Sequence, residues 1–328
     1  SAHRRGVVQA ARYYFDRDLE TLNPKEILAL AVLVRAPSHL DPYRNPEALG
    51  PGVKRLADRL HRSGDLSGEE LTAVKEEILA PSKPRLPVQA GHFARQVMET
   101  VTTGLSTQRT TLDAGIQSMV QQTLDQRIED LADRRVANAA ALVVAQGTRE
   151  VLAWANSGQS DPAAPHREVD GVLAPRQPGS ALKPFLYALA LERGWTAATR
   201  IDDAPLQTSV GAGLHTFHNY SRTYYGPVSL RDALGNSLNT PAVRTLRFVG
   251  VNDYLTRLHA LGFRSLSRPA DFYGEGLALG NGEVSLFELV QAYTTLACRG
   301  RFAPLNVLAA DGRRLAGEQL FPEEIASL

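Results

Sequence analysis

A single cysteine, Cys298, excludes an internal disulfide, so packing and hydrogen bonds must hold the chain together. It lies in an apolar run, where a buried structural thiol is expected. No stretch reaches the roughly 20 apolar residues of a membrane span, and the arginines of residues 1–15 lead into no signal-type apolar segment. Any membrane attachment is expected from an anchor outside this chain. An excess of one charge is missing too. With 36 Lys and Arg against 35 Asp and Glu, no overall field exists to gather nucleic acid or an anionic surface. Internal repeats and low-complexity tracts are also lacking. What remains is 328 residues, 43% of them hydrophobic, enough to bury a core without metal or disulfide support.

The first 80 residues read as helices. Asn23 can cap a helix that has Pro24 at its first position and an apolar run from Ile27 to Val34. Ser67 and Glu70 form a capping box ahead of Leu71, Val74 and Ile78. Pro81, Pro84 and Pro87 then interrupt every period, which predicts a domain over 1–80, a linker over 81–106 and a second domain over 107–328. The opening, with Arg4-Arg5-Gly6 running straight into Val7 to Phe15, reads as a cut inside a domain.

Further on, Ile116, Val120, Leu124, Ile128 and Leu131 mark one face of a long helix. Ala140–Val144 and Val151–Ala155 flank Gln146 to Arg149 as a hairpin would. Helices follow over 184–193, 230–234, 241–248, 253–261 and 286–297, with Gly194, Gly262 and Gly300 as stops. A helix, a hairpin and then many helices predict an α+β fold.

Ser180 and Lys183 open one of these helices, whose apolar face is Leu182, Phe185, Leu186, Leu189 and Ala190. At i and i+3 they share a face, so a hydroxyl and an amine can come within hydrogen-bonding reach. Serine attacks only when a base takes its proton, and lysine is a base near neutrality only where burial or a neighbouring cation lowers its pKa. First-turn N–H groups add positive potential for a developing oxyanion. Pro184 has no N–H to return to the Ser180 carbonyl, which predicts a tight or irregular first turn. Serine also caps many helices, so the tetrapeptide alone decides nothing.

A second element is Ser237-Leu238-Asn239, 57 positions after Ser180. In an extended connection Ser237 and Asn239 face the same way and present a hydroxyl and an amide to one cleft. Ser237 could relay a proton from Lys183 to a leaving amine, and Asn239 could bond a substrate amide. A polar loop before a proline-started helix is the plain alternative.

In this order the two elements resemble the Ser-x-x-Lys and Ser-x-Asn motifs of penicilloyl-serine transferases. Thr110 to Asp113, Val169-Asp170-Gly171, Arg176 to Ser180, His218-Asn219-Tyr220, Gly226 to Ser229 and Leu277 to Gly280 extend the likeness to class A penicillin-binding proteins, above all their 1C branch. Arg5 to Phe15, Leu22, Glu26 and Ala36 to Pro42 resemble the closing motifs of a family 51 peptidoglycan glycosyltransferase domain. The resemblance implies a helical C-terminal piece of that domain, followed by a serine β-lactamase-like transpeptidase domain. It assigns Ser180 as nucleophile, Lys183 as base, Ser237 as proton relay and Asn239 as substrate-binding. It also implies D-alanyl-D-alanine stem peptides and β-lactams as partners, lipid II for the intact parent, no cofactor or metal, and the periplasmic face of the bacterial inner membrane.

Two departures qualify the expectation. The glutamates of the glycosyltransferase lie upstream of these motifs, and no Lys-Thr-Gly or Lys-Ser-Gly occurs in the chain, which is expected to be truncated before that strand and poorly active as a fragment. Competing readings are a serine β-lactamase, told apart by rapid penicillin turnover, and a non-catalytic scaffold or β-lactam sensor. A metal site at His215 and His218 lacks a third ligand, and Glu275 with Glu283 as a carboxylate pair is explained equally well by loop and helix-entry roles.

Overall fold

The computed structural model describes residues 6–45, 47–82, 89–101, 108–158, 168–210, 213–309 and 317–327, without the side chains of 209, 210 and 213–215. Two compact units emerge, Ser1–Pro87 and Val88–Leu328.

The first unit is built of α1 (Val7–Phe15), α2 (Pro24–Leu33), α3 (Gly50–Ser63) and α4 (Gly68–Glu76). Both expected capping boxes form: the Asn23 side chain accepts from Glu26 N at 2.8 Å, and Ser67 Oγ accepts from Glu70 N at 3.2 Å. Such a cap contributes about 1 kcal/mol. Tyr14, Phe15, Leu28, Leu30, Leu33, Val53 and Val74 make the core. Ile78 does not join it; α4 ends at Glu76, Glu77 turns extended, and Ile78 is left 89% exposed.

In the second unit the stretch read as a linker contains a helix, α5 (Gly91–Thr100). The prolines stop at Pro87, and beyond them Phe93 and Val97 share one helical face that buries near Trp154, with the Phe93 and Trp154 rings 6.1 Å apart. Residues 83–88 and 102–107 of that stretch lie outside the described residues.

The long helix appears as α6 (Ala114–Asp130), but its apolar stripe is only half-buried and the fully buried positions are Gln117 and Gln121. They serve as a substitute strand. Beside them lies the expected hairpin, β1 (Ala140–Val144) and β2 (Val151–Asn156), antiparallel with Leu142 opposite Trp154. Gln117 accepts from Trp154 N at 2.7 Å and donates to Trp154 O at 3.1 Å, and Gln121 donates to Asn156 O at 2.8 Å. These amides satisfy backbone groups of β2 that would be costly to bury unpaired.

After a 3₁₀ turn (Gly179–Leu182) comes α7 (Lys183–Glu192), then β3 (Arg200–Asp203), β4 (Leu206–Val210), β5 (Gly213–Phe217) and β6 (Gly226–Ser229). Strand β3 pairs with β6 and β4 with β5, both antiparallel. Next are α8 (Leu230–Gly235), α9 (Asn239–Val249), α10 (Val251–Ala260), α11 (Ala270–Tyr273), a 3₁₀ segment (Gly274–Leu279) and α12 (Leu286–Ala297). The order ends with β7 (Arg301–Phe302), β8 (Glu318–Gln319) and α13 (Glu323–Ala326). Helices thus outweigh small antiparallel sheets, an α+β arrangement.

Helix α7 is the centre of this unit. Its predicted face is buried, and so are Tyr187 and Ala188, so the helix is enclosed almost all round by α9, α10 and the 3₁₀ segment. Each Leu or Phe taken from water there stabilises the fold by about 2 kcal/mol. Cys298 departs from expectation: as the residue after α12 it is half-buried at the rim, with Sγ donating to Gln146 O at 3.0 Å.

Candidate active site

Ser180 lies exposed in the 3₁₀ turn, one residue into it, and Lys183, three residues on, begins α7. The tightened turn foreseen from Pro184 is present. The Ser180 carbonyl accepts from Lys183 N, an i to i+3 bond, because residue 184 has no proton to offer. Two phenols brace the same turn: Tyr293 Oη donates to Ala181 O at 2.8 Å, and Tyr254 Oη donates to Leu182 O at 2.7 Å. Burial raises the pKa of both, which keeps them donors.

A glycine contact fixes the approach to Ser180. Gly280, at φ 69°, lies against the backbone of Gly179, where a Cβ would fall 2.3 Å from Gly179 O and 2.6 Å from Gly179 N. Only a residue without a side chain fits, and the left-handed φ makes the same demand. On the other side, Arg176 and Val284 exchange two backbone bonds of 2.9 Å. Asp170 ties the preceding loop to β2, accepting from Trp154 Nε1 at 3.0 Å and Asn156 Nδ2 at 3.1 Å.

Lys183 has no exposed surface, although it begins a helix otherwise given over to apolar packing. Its Nζ points to the Ser237–Asn239 loop and donates to Ser237 O at 2.7 Å, Asn239 Oδ1 at 2.8 Å and Leu238 O at 3.1 Å, with Ser237 Oγ at 3.3 Å. Burial pushes its pKa down to about 8. Lys183, Ser237 and Asn239 are therefore brought together. Among the described residues Ser180 Oγ makes no hydrogen bond, so the expected Ser180–Lys183 bond is not formed, although the two residues share one turn.

The loop converges for a reason other than extended geometry. Ser237 sits at φ 52°, in the left-handed region, as the residue closing α8. Ser237 N donates to Leu234 O and Leu238 N to Ala233 O, both at 2.9 Å, which is the Schellman pattern that ends many helices at glycine. A serine here costs about 1–2 kcal/mol of backbone strain and keeps a hydroxyl beside the amine. Asn239 then opens α9, with its Nδ2 donating to His218 O at 2.8 Å.

Of the remaining candidates, His218 touches this cluster only through its backbone carbonyl. His218 Nδ1 lies 2.8 Å from the Tyr224 hydroxyl, and the His215 side chain falls outside the described residues. Glu275 is bound by Arg247, with Nη2 to Oε2 at 3.0 Å, and Glu283 is exposed. Among the described residues no group of three His, Cys, Asp or Glu is placed to hold a metal ion. Sequence reasoning missed Tyr254, Tyr293 and Asp203. Asn219 and Gly280 lay inside quoted motifs, but no role was read for them.

Comparisons with known proteins bear on the family and the fold. A family model described as "Penicillin binding protein transpeptidase domain" matches residues 139–323, and one described as "Transglycosylase" matches residues 1–61. Penicillin-binding protein 1C of Escherichia coli is 30% identical over 307 residues, covering 93% of this chain and 39% of that protein. Penicillin-binding protein 1A of Streptococcus pneumoniae is 27% identical over 323 residues, covering 90% of this chain and 44% of that one. The chain thus spans about two fifths of the length of these relatives. The crystal structure of penicillin-binding protein 1A from Haemophilus influenzae shares the fold, with a TM-score of 0.61 at 19% identity, covering 94% of this chain and 61% of that one.

Proposed function

The chain belongs to the penicillin-binding protein transpeptidase family, and on that premise we propose that it carries the acylating site of a D,D-transpeptidase of peptidoglycan synthesis, with Ser180 as the nucleophile. One observation carries this: a buried amine, three residues on from an exposed serine in the same turn, is held by a Ser-x-Asn loop more than fifty residues away.

In the uncharged form Lys183 Nζ takes the Ser180 proton as Oγ attacks the penultimate D-alanyl carbonyl of a stem peptide. The tetrahedral centre collapses, the C–N bond breaks, and D-alanine leaves with a proton passed from Lys183 through Ser237 Oγ. An amine of a neighbouring stem then attacks the ester. Its proton returns through the same pair, the cross-link forms and Ser180 regains its hydrogen. Asn239 holds the amine through Oδ1, whose second lone pair is left for a substrate N–H. A β-lactam presents a strained amide to the same serine. No step calls for a metal or an organic cofactor, because lysine supplies the base.

The parent protein, by the same proposal, also polymerises glycan strands from lipid II and works at the periplasmic face of the bacterial inner membrane. Among the described residues no helix is long and apolar enough to cross a membrane.

Incubation of the chain with a fluorescent penicillin, followed by peptide mapping, tests the assignment. An adduct on the peptide containing Ser180, lost in Ser180→Ala, is expected. A folded chain that takes the label elsewhere, or not at all, overturns it.

A further inference from the structure

Behind the Ser237–Asn239 loop lies a carboxylate that the acyl-transfer steps do not use. Asp203, the last residue of β3, has no exposed surface, and its described donors are all uncharged. Asn219 Nδ2 donates to both its oxygens at 2.9 Å, Tyr225 N donates to Oδ2 at 3.0 Å, and the Thr240 hydroxyl donates to Oδ1. An ionised carboxylate in such a place costs several kcal/mol to desolvate unless donors surround it. An apolar side chain would be cheaper to bury, so a carboxyl at this place calls for an explanation.

The bonds continue toward the amine. With its NH₂ group engaged by Asp203 and by Thr223 O at 2.9 Å, Asn219 has only Oδ1 left to turn outward, and Oδ1 accepts from Asn239 N at 2.8 Å. Asn239 in turn gives its own NH₂ to His218 O at 2.8 Å and presents Oδ1 to Lys183 Nζ at 2.8 Å. Each amide has two faces of opposite polarity, and a group that can only accept fixes which face is shown. The acceptors of Asp203, together with the Thr223 carbonyl, therefore set Asn219, Asn219 sets the start of α9, and α9 carries the acceptor that holds the lysine.

We propose that Asp203 is a positioning residue for acyl transfer: by orienting the Asn219 amide it locks Asn239 in register with Lys183. The inference rests on Ser180 and Lys183 being the acylating pair. Asp203 touches neither substrate nor reacting atoms.

Asp203→Asn is nearly isosteric but can donate as well as accept. Its new NH₂ must face either Tyr225 N or the Asn219 NH₂, donor against donor, which unseats the amide that accepts from Asn239 N. The expected loss in penicillin acylation rate is about ten- to a hundredfold, the scale of one hydrogen bond to a charged group. Asp202→Asn, at the neighbouring half-exposed carboxylate 3.6 Å from Arg244, should stay within about twofold, the range of an exposed ion pair. The discriminating comparison is a double-mutant cycle. If Asp203 acts through Asn219, the pair Asp203→Asn with Asn219→Ala is no slower than Asn219→Ala alone, whereas independent effects multiply.

A readout without chemistry accompanies it. In the full chain the backbone amide of Asn239 should lose about tenfold in hydrogen-exchange protection in Asp203→Asn, while Leu246, deep in α9, keeps its own. A folded Asp203→Asn chain with parent acylation and parent protection at Asn239, or a multiplicative cycle, overturns the proposal. Should Asp203→Asn not fold, Asn219→Ala serves alone: parent protection at Asn239 is then the overturning result. Label surviving in Ser180→Ala would instead remove the assignment of the nucleophile, leaving the exchange result to judge Asp203 by itself.

Discussion

The Ser180–Lys183 turn and the Ser237–Asn239 loop meet at one amine but are held by opposite means. The turn is held by exclusion. Gly280 packs backbone to backbone on Gly179, α7 is surrounded by apolar side chains, and Lys183 is the charge lowered into that core. The loop is held by polar bonds, as the side chains of Asp203, Asn219, Thr240 and Asn239 are each hydrogen-bonded. The difference divides the labour. Apolar packing lowers the basicity of the amine, and the polar network sets where the amine points without adding a second charge to it.

The comparison breaks most decisively at Lys183. Lys183→Ala should slow acylation about 10²- to 10⁴-fold, the usual contribution of a positioned base. A rate near the parent's, measured by stopped-flow with fluorescent penicillin, would mean that the buried amine is only structural.

Next in size is the glycine contact. Gly280→Ala adds a methyl group where Gly179 backbone atoms already stand, and asks alanine to hold a left-handed φ. A loss of about 2–5 kcal/mol of stability is expected from overpacking and strain together, read by urea denaturation. A Gly280→Ala chain of parent stability would show that the turn is not held by exclusion.

A pH titration sharpens the comparison without mutation. Because burial lowers the amine to about 8, it is mostly protonated at neutral pH and uncharged above that value. The base is the uncharged form, so the acylation rate should rise by about tenfold between pH 7 and pH 9 and then level off. A profile that is flat, or that falls over this range, contradicts the role given to Lys183.

The smallest effect belongs to the phenol braces. Tyr293→Phe removes the donor to Ala181 O and should cost about 1 kcal/mol, a several-fold loss in acylation rate, with little change in penicillin affinity. Tyr254→Phe is expected to cost slightly more stability, because Leu182 O is buried and is left without that donor. If neither changes the rate, the turn is held by Gly280 and apolar packing alone.

Local rules were legible along the chain. The capping residues Asn23 and Ser67, the hairpin of β1 and β2, helices α7, α8, α9, α10 and α12 and the tightened turn before Pro184 all follow from interactions within a few residues, which any context preserves. The pairing of Ser-x-x-Lys with Ser-x-Asn was legible only as a motif. The spacing of 57 residues states nothing about distance in space. Tertiary contacts reversed two expectations: Phe93 and Val97 drew part of the linker stretch into a packed helix, and Gln117 with Gln121 took the buried side of α6 because β2 needed hydrogen bonds more than methyl groups.

By itself, then, the sequence determined the capped helices, the first hairpin, and that a serine and a lysine would share one turn. Only the folded chain decided that the lysine is buried, that Ser237 adopts a left-handed conformation to meet it, and that Asp203 stands behind Asn239. Local propensity is set by neighbours in the chain, whereas desolvation and hydrogen-bond saturation are set by whatever the fold brings alongside, and those two terms decide the basicity and direction of the amine.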